Sequence, residues 1–343
     1  YMTGDIKGAW LSDTDTTNVV GTELVTNGTF DTDVSGWSKL GDGATSVIGG
    51  QLVIAGDGTT DTGYEQQITG LDSSSTYVFK IDIETAGSYI GISENSDAAF
   101  FTSPTSFTED GTYTFTFTGK TSVYIIIKDS AAIGGDTTID NISVKLADSD
   151  RSVNNNGLQV NGTITKTAVA TGADLVAYSG FSASNYLEQP YNSDLDFGTG
   201  DFSIMGWAKI PTSSAYGCMF NRSENDLSTS LLIQKNPSNT VRFYLGAAID
   251  STTLVNDTWQ FISCLRVNGI ASVWINGNQE NSLANTSNLN GVNLSSLIGI
   301  RYDSAGVIIQ PLVGSLALWR ISATVPTAAQ ILEIYNAEKP LFQ

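Results

Sequence analysis

A chain of 343 residues that is 41% hydrophobic and 15% charged is long enough for two packed cores of ordinary size. Its 35 acidic residues against 16 basic ones leave a net charge of -19, which repels phosphate backbones and anionic headgroups, so no nucleic-acid partner is expected. Histidine is absent, which removes Ser-His-Asp and Cys-His catalysis and every His-ligated zinc or iron site.

In chain order, residues 1–21 read as an N-terminal connecting segment. From 22 to 147 the hydrophobic rhythm is period two, with glycine, Asn, Asp and Ser punctuating it, as antiparallel strands require. Residues 112–118 place Tyr113, Phe115 and Phe117 on one face and threonines on the other, and residues 77–83 and 122–128 read similarly, which implies a sandwich. Residues 1–150 hold 22 acids and 6 bases, whereas the remainder holds 13 and 10. That step, with the polar stretch 147–157, sets a boundary at about 148. Within 148–343, strands are expected at 202–210, 240–245 and 259–265. Hairpins are expected at Asn268-Gly269 and Asn276-Gly277, whose residues accept positive φ. One helix is expected at about 327–337, with Pro326 near its start and Ile331, Ile334 and Tyr335 at helical spacing. The expected fold is all-β: two tandem antiparallel β-sandwiches with one short C-terminal helix. Cys218 and Cys264 match no metal or redox spacing and read as two buried thiols rather than a disulfide. No apolar run approaches the roughly 18 residues that span a bilayer, and no leader opens the chain, so membrane insertion is not expected. A start at Tyr1 rather than Met suggests a piece of a longer or processed polypeptide.

The block from Glu23 to Asp31 followed by Gly36-Trp37, with a closing strand over 139–144, resembles jelly-roll carbohydrate-binding modules of the galactose-binding-like group. Beyond residue 150, Leu195 to Ser203 with Trp207, then Asp257 to Gln260, Val273 to Gly277 and Gly314 to Arg320, resemble a laminin-G-like, concanavalin A-type sandwich. Trp207, Trp259, Trp274 and Trp319 lie in these blocks and are expected to be structural. The pairing of the two, with the entry Gly4 to Leu11 and the run from Asp150 to Ile164, is similar to C-terminal regions of tail-fibre and other virion structural proteins of tailed bacteriophages. Both resembled sandwich families often carry structural calcium, which makes Asp31 with Asp140, and Asp194 with Asp196, candidate ligand pairs; solvated Asx-turns are the alternative.

No run supplies the Glu-x-Asp-x-x-Glu spacing by which concanavalin A-type glucanases set two carboxylates on one strand, so an enzyme is not expected. The Gly-Asp-Gly segments at 41–43 and 56–58 precede no helix, which argues against a phosphate loop. Sugar binding needs aromatic faces with amides and carboxylates beside them. Trp37, Tyr64, Tyr89, Phe100 and Phe101 are candidates in the first domain, and Tyr186, Tyr191 and Tyr302 in the second. Tyr64 and Tyr89 lead because neighbouring glycines suggest exposure. The leading expectation is a non-enzymatic virion protein, a homotrimeric tail fibre or spike recognising host-surface glycans and contacting other virion proteins. Two alternatives stand beside it: a structural decoration of the particle without glycan binding, and accessory modules of a secreted polysaccharide-degrading enzyme or adhesin.

Overall fold

The computed structural model describes residues 5–55, 62–85, 88–96, 109–129, 136–154, 156–222, 231–290, 294–303 and 305–343, without the side chains of 85, 88 and 89. Among the described residues it is all-β apart from two short 3-10 turns and the helix Ala328–Glu338. Two compact units divide it: Thr22–Ala147, and Asp148–Gln343 together with Tyr1–Gly21.

The first unit is a sandwich of two antiparallel sheets. One runs Thr45–Ile48, Gln51–Ile54, Thr137–Asp148, Thr76–Thr85, Gly111–Phe117; the other runs Ser38–Leu40, Gly63–Thr69, Ser122–Asp129, Ser88–Ser93. Alternation decides which side chains meet. Phe115 pairs with Phe79 and Phe117 with Tyr77 across the strands, and both ring pairs stack at 5.6 Å inside the core.

The second unit is also a sandwich, with Leu158–Ala168 contributing to both layers. In one layer the order is Asn278–Ala284, Ile270–Ile275, Trp259–Val267, Phe202–Lys209, Ser315–Ser322. In the other it is Tyr186–Gln189, Ser296–Ile298, Gly217–Arg222, Leu231–Lys235, Thr240–Tyr244, Ala248–Thr253. Register aligns Leu187, Ile298, Phe220, Ile233, Phe243 and Ile249 as one buried row across this six-stranded sheet. Because side chains alternate, the next row points away from the core. Both expected hairpins form, with φ of 49° and 72° at Asn268 and Gly269 and of 52° and 83° at Asn276 and Gly277.

The segment 1–21 departs from the expectation of a connector. Ile6–Trp10 pairs with Ser315–Ser322, and Val19–Gly21 pairs with Leu158–Ala168. Trp10 and Leu11 are fully buried in the second sandwich's core. Two buried carboxylates hold this strand: Asp148 accepts the Leu11 N–H at 2.9 Å, and Asp150 accepts the Ala9 N–H at 2.8 Å. The second sandwich is therefore discontinuous, and residues 22–147 are an insertion in its sequence. Five residues of strand were too short a run to register as periodic.

The helix starts one residue later than expected and ends one later. Thr327 and Gln330 form a reciprocal capping box, which satisfies two otherwise orphaned N–H groups. Ile331 and Ile334 are buried, and Tyr335 and Phe342 stack on Trp207 at 5.8 and 4.2 Å. Trp207 and Trp319 are buried, with indole N–H groups donating to Glu338 and to the Trp207 carbonyl. Trp259 and Trp274 are half-buried against the same cluster. Cys218 and Cys264 are separate buried thiols, and burial pushes both well above the ordinary thiol range.

Two buried arginines brace one end of this sandwich. Arg266 donates to the carbonyls of Gly200, Ser287 and Gly198 at 2.9, 2.7 and 2.7 Å and lies 5.2 Å from the Phe202 ring centroid. Arg222 pairs with Asp196 and donates to the Leu289 carbonyl at 3.0 Å.

Candidate functional site

In the first sandwich, two of the expected glycan platforms are core residues instead. Trp37 is 8% exposed, its indole N–H donating to the carbonyls of Thr26 and Asn27, and its ring packs 5.5 Å from Phe30. Tyr64 is 5% exposed, its hydroxyl bonded to Thr45 at 2.9 Å. The neighbouring Gly63 signals tight packing rather than exposure: a Cβ there would sit 1.8 Å from the Ile127 carbonyl. Tyr89 is a residue of Ser88–Ser93 opposite Lys128, and its side chain lies outside the described residues, as do Phe100 and Phe101.

In the second sandwich the structure brings two candidates together. Tyr186 lies on the strand Tyr186–Gln189, which is flanked by Leu158–Ala168 and Ser296–Ile298, two residues before Glu188 and so on the same outward side. Tyr302 arrives from the short Arg301–Tyr302 strand, and the two phenols lie close enough for each to influence the other's ionisation. Glu188 accepts the Ser295 hydroxyl at 2.8 Å. Both tyrosines are half-buried. Burial pushes both phenols above their ordinary range, helped at Tyr186 by Tyr302 and then Glu188 and at Tyr302 by Glu188, so each remains a protonated donor at neutral pH. Arg301 donates to Gln310 at 2.9 Å and to the Tyr302 carbonyl at 3.0 Å, which fixes that strand.

The outward row runs Glu188, Leu297, Asn221, Leu232, Tyr244. Its middle is buried, leaving two accessible ends. At the far end Arg242 makes a two-pronged pair with Asp250, both bonds 2.8 Å, beside Tyr216. Glu188 and Asp250 stand on the first and sixth strands, which at the usual strand spacing is about 24 Å. Glycoside hydrolysis sets its two carboxyl groups about 5–10 Å apart. This face can therefore bind hydroxyls at either end, but those two groups cannot cooperate on one bond.

Tyr191 belongs to neither end. Its hydroxyl donates to Asp196 at 2.9 Å, and Asp196 is already neutralised by Arg222. Asp196, of the second expected calcium pair, is thus engaged by a guanidinium and a phenol. Asp194 in turn accepts from Asn156 at 3.3 Å while its own N–H is capped by Asn192. In the first sandwich, burial and then the charges of Asp82, Asp31 and Glu84 raise the Asp140 carboxyl above its usual range. Among the described residues, no group of three or more acidic or cysteine side chains is arranged to hold a metal ion.

The repulsion at Asp140 has a stability consequence. A carboxyl whose folded pKa is raised contributes stability that is full below its unfolded value and lost as pH rises through the folded one. Asp140→Asn in a chelating buffer at pH 7 is expected to raise the melting temperature of the first sandwich by about 1–3 °C. The gain should vanish near pH 3, about a unit below an ordinary aspartate. Calorimetry at the two pH values checks it. The calcium expectation at Asp31 and Asp140 is read in the same cell: a calcium-dependent rise in the wild type that Asp140→Asn abolishes would restore it.

Glu188, Ser295 and the Arg242–Asp250 pair were missed by sequence reading. Only the last left a signal, an Arg and an Asp facing each other across the turn at Gly246.

Residues 179–332 match the Laminin_G_3 family model, the concanavalin A-like lectin/glucanases superfamily. The match lies wholly within the second sandwich, whose fold is concanavalin A-like. No curated protein matches the chain. Among solved structures, domain 4 of AbnA, a GH43 extracellular arabinanase from Geobacillus stearothermophilus in complex with arabinotriose, is similar at 18% identity and TM-score 0.44. That match covers 55% of this chain and 92% of that one. The binding domain of botulinum neurotoxin serotype G is similar at 12% identity and TM-score 0.40, over 55% of this chain and 48% of that one. The CBM40 of the Ruminococcus gnavus IT-sialidase bound to α2,6 sialyllactose is similar at 11% and 0.36, over 43% and 92%.

Proposed function

We propose that this chain is a non-catalytic glycan-binding protein working outside the cell, with Tyr186, Tyr302, Glu188 and Ser295 as the contact residues of its second sandwich. The observation that carries the reading is the Tyr186–Tyr302 pair, two residues far apart in sequence brought together beside the Glu188 carboxylate on an outward sheet face. A sugar ring offers an apolar face for an aromatic edge and hydroxyls for phenols and a carboxylate, the groups this corner presents. The separation of Glu188 from Asp250 supports binding without turnover on this face. No helix among the described residues is long and apolar enough to cross a membrane.

The test is retention on a glycan array. Tyr186→Phe with Tyr302→Phe removes two hydroxyls and keeps both rings, and is expected to weaken retention about tenfold; the double alanine variant should abolish it. Undiminished retention by the double alanine variant, with an unchanged melting curve, rejects the assignment.

The proposal extends to location: a homotrimeric fibre or spike of a bacteriophage particle, supported by the paired blocks of the sequence. Mass spectrometry of purified particles should find the chain, and light scattering of the complete polypeptide should give three copies. Its recovery with a secreted polysaccharide-degrading enzyme instead would favour the accessory-module reading.

A further inference from the structure

The opposite layer of the second sandwich carries a cavity that the glycan reading does not use. It has a volume of about 180 Å³ and is walled by Trp10, Ser12, Arg151, Leu318, Arg320 and Glu338. For scale, an apolar cavity of about 150 Å³ accommodates benzene. The chain has few cations, and two of its arginines border this space.

Their hydrogen bonding is incomplete. Arg320 is 7% exposed; its Nη1 forms an ion pair with Glu338 at 2.8 Å and donates to the Leu318 carbonyl at 3.3 Å, while its buried Nη2 has no hydrogen-bond partner among the described residues. Leaving a guanidinium donor buried and unpaired costs free energy that an acceptor would recover. Arg151 donates to the Ser149 carbonyl at 3.1 Å and makes no ion pair among the described residues. The buried Asp148 carboxylate feels its charge but is occupied by the Leu11 N–H and the Tyr178 hydroxyl. Glu338, the one carboxylate on the wall among the described residues, has both oxygens engaged, by Arg320 and by the Trp207 indole. An arginine charge is thus left over for a ligand.

The backbone at the wall is also unusual. Leu318 has φ 54°, and its N–H donates at 2.9 Å to the carbonyl of Leu11, itself at φ 58°. Side-chain-bearing residues adopt this region at a cost, and such positions concentrate at ligand sites. The bulge at Leu318 interrupts the pairing with Phe202–Lys209 beside the cavity.

We propose that this cavity is a carboxylate-binding site for an organic acid about the size of a six-membered ring, its carboxylate set between the Arg151 and Arg320 guanidinium groups. Planar donors match a carboxylate in two-pronged fashion, and the tryptophan wall receives the ring. The site lies on the other layer from Tyr186 and Tyr302, so variants at those tyrosines leave it intact and the two readings fail separately.

The experiment is ligand-observed NMR and calorimetry on the whole chain with four probes: methyl β-glucuronide, methyl β-glucoside, cyclohexanecarboxylate and cyclohexanecarboxamide. Binding by either acid, at least tenfold tighter than its neutral counterpart, is expected; equal binding of acid and neutral probe, or none by any, overturns the proposal. The acid that binds more tightly tells an acidic sugar from a simple ring acid. Arg151→Ala, an exposed position that spares the fold, is expected to weaken binding about tenfold and Arg151→Lys less. Since Arg320→Ala also removes the tie to Glu338, Ser12→Trp serves as a second variant that fills the mouth and should block binding. Unchanged affinity in both Arg151→Ala and Ser12→Trp overturns the assignment.

Discussion

Arg266→Ala is expected to destabilise the second sandwich by about 3–5 kcal/mol, the range for breaking a buried charged network by removing one partner. The side chain is fully buried in the strand Trp259–Val267, and its guanidinium is surrounded by backbone carbonyls rather than by a carboxylate. Burial, its main perturbation, lowers its pKa, with the Asp201 charge opposing. Removing it leaves the carbonyls of Gly198, Gly200 and Ser287 without this donor and opens space against Phe202. Arg266→Lys is expected to recover only part of the loss, because an ammonium cannot reach three carbonyls in a planar fork. Urea unfolding followed by tryptophan fluorescence measures both. Arg242→Ala, a half-exposed ion pair of similar appearance on paper, is expected to cost under about 1 kcal/mol. Equal losses at the two arginines would refute the claim that burial sets the difference.

The contrast between those two arginines also marks what a sequence discloses. Alternation at 112–118 and the two Asn-Gly turns are local, because φ preference and side-chain parity depend on adjacent residues alone; each formed where expected. The helix was legible for the same reason, through Pro326 and the spacing of Ile331, Ile334 and Tyr335. What distinguishes Arg266 from Arg242 is depth, which depends on strands far away in sequence. Tyr186 and Tyr302 were recognisable as aromatic candidates, yet their junction with Glu188 and Ser295 is made by cross-strand register. Tyr64 failed for a related reason: glycine neighbours mark both open turns and places where another chain segment presses close. At Gly63 the second holds. The role of residues 1–21 was hidden further still, since its pairing partner lies some three hundred residues downstream.

That hidden strand yields the other large effect. A fragment comprising residues 148–343, which the composition step alone would define as a whole domain, is expected to lose at least about 5 kcal/mol relative to the full chain. It lacks Trp10 and Leu11, each buried in the core, and large-to-small losses at such positions run about 2–5 kcal/mol apiece. It also lacks the N–H groups of Ala9 and Leu11, so buried oxygens of Asp150 and Asp148 lose their donors. Against a typical domain stability of about 5–15 kcal/mol, such a fragment stands at the edge of folding. Circular dichroism should show an early, broad melt for the fragment, and a peptide of residues 1–21 added in trans should sharpen and raise it. Asp150→Ala in the peptide-supplied complex should weaken that rescue, because the carboxylate that receives Ala9 is gone. A fragment melting within a few degrees of the full chain would mean that the strand Ile6–Trp10 only lies on the sandwich, and that the core closes without it.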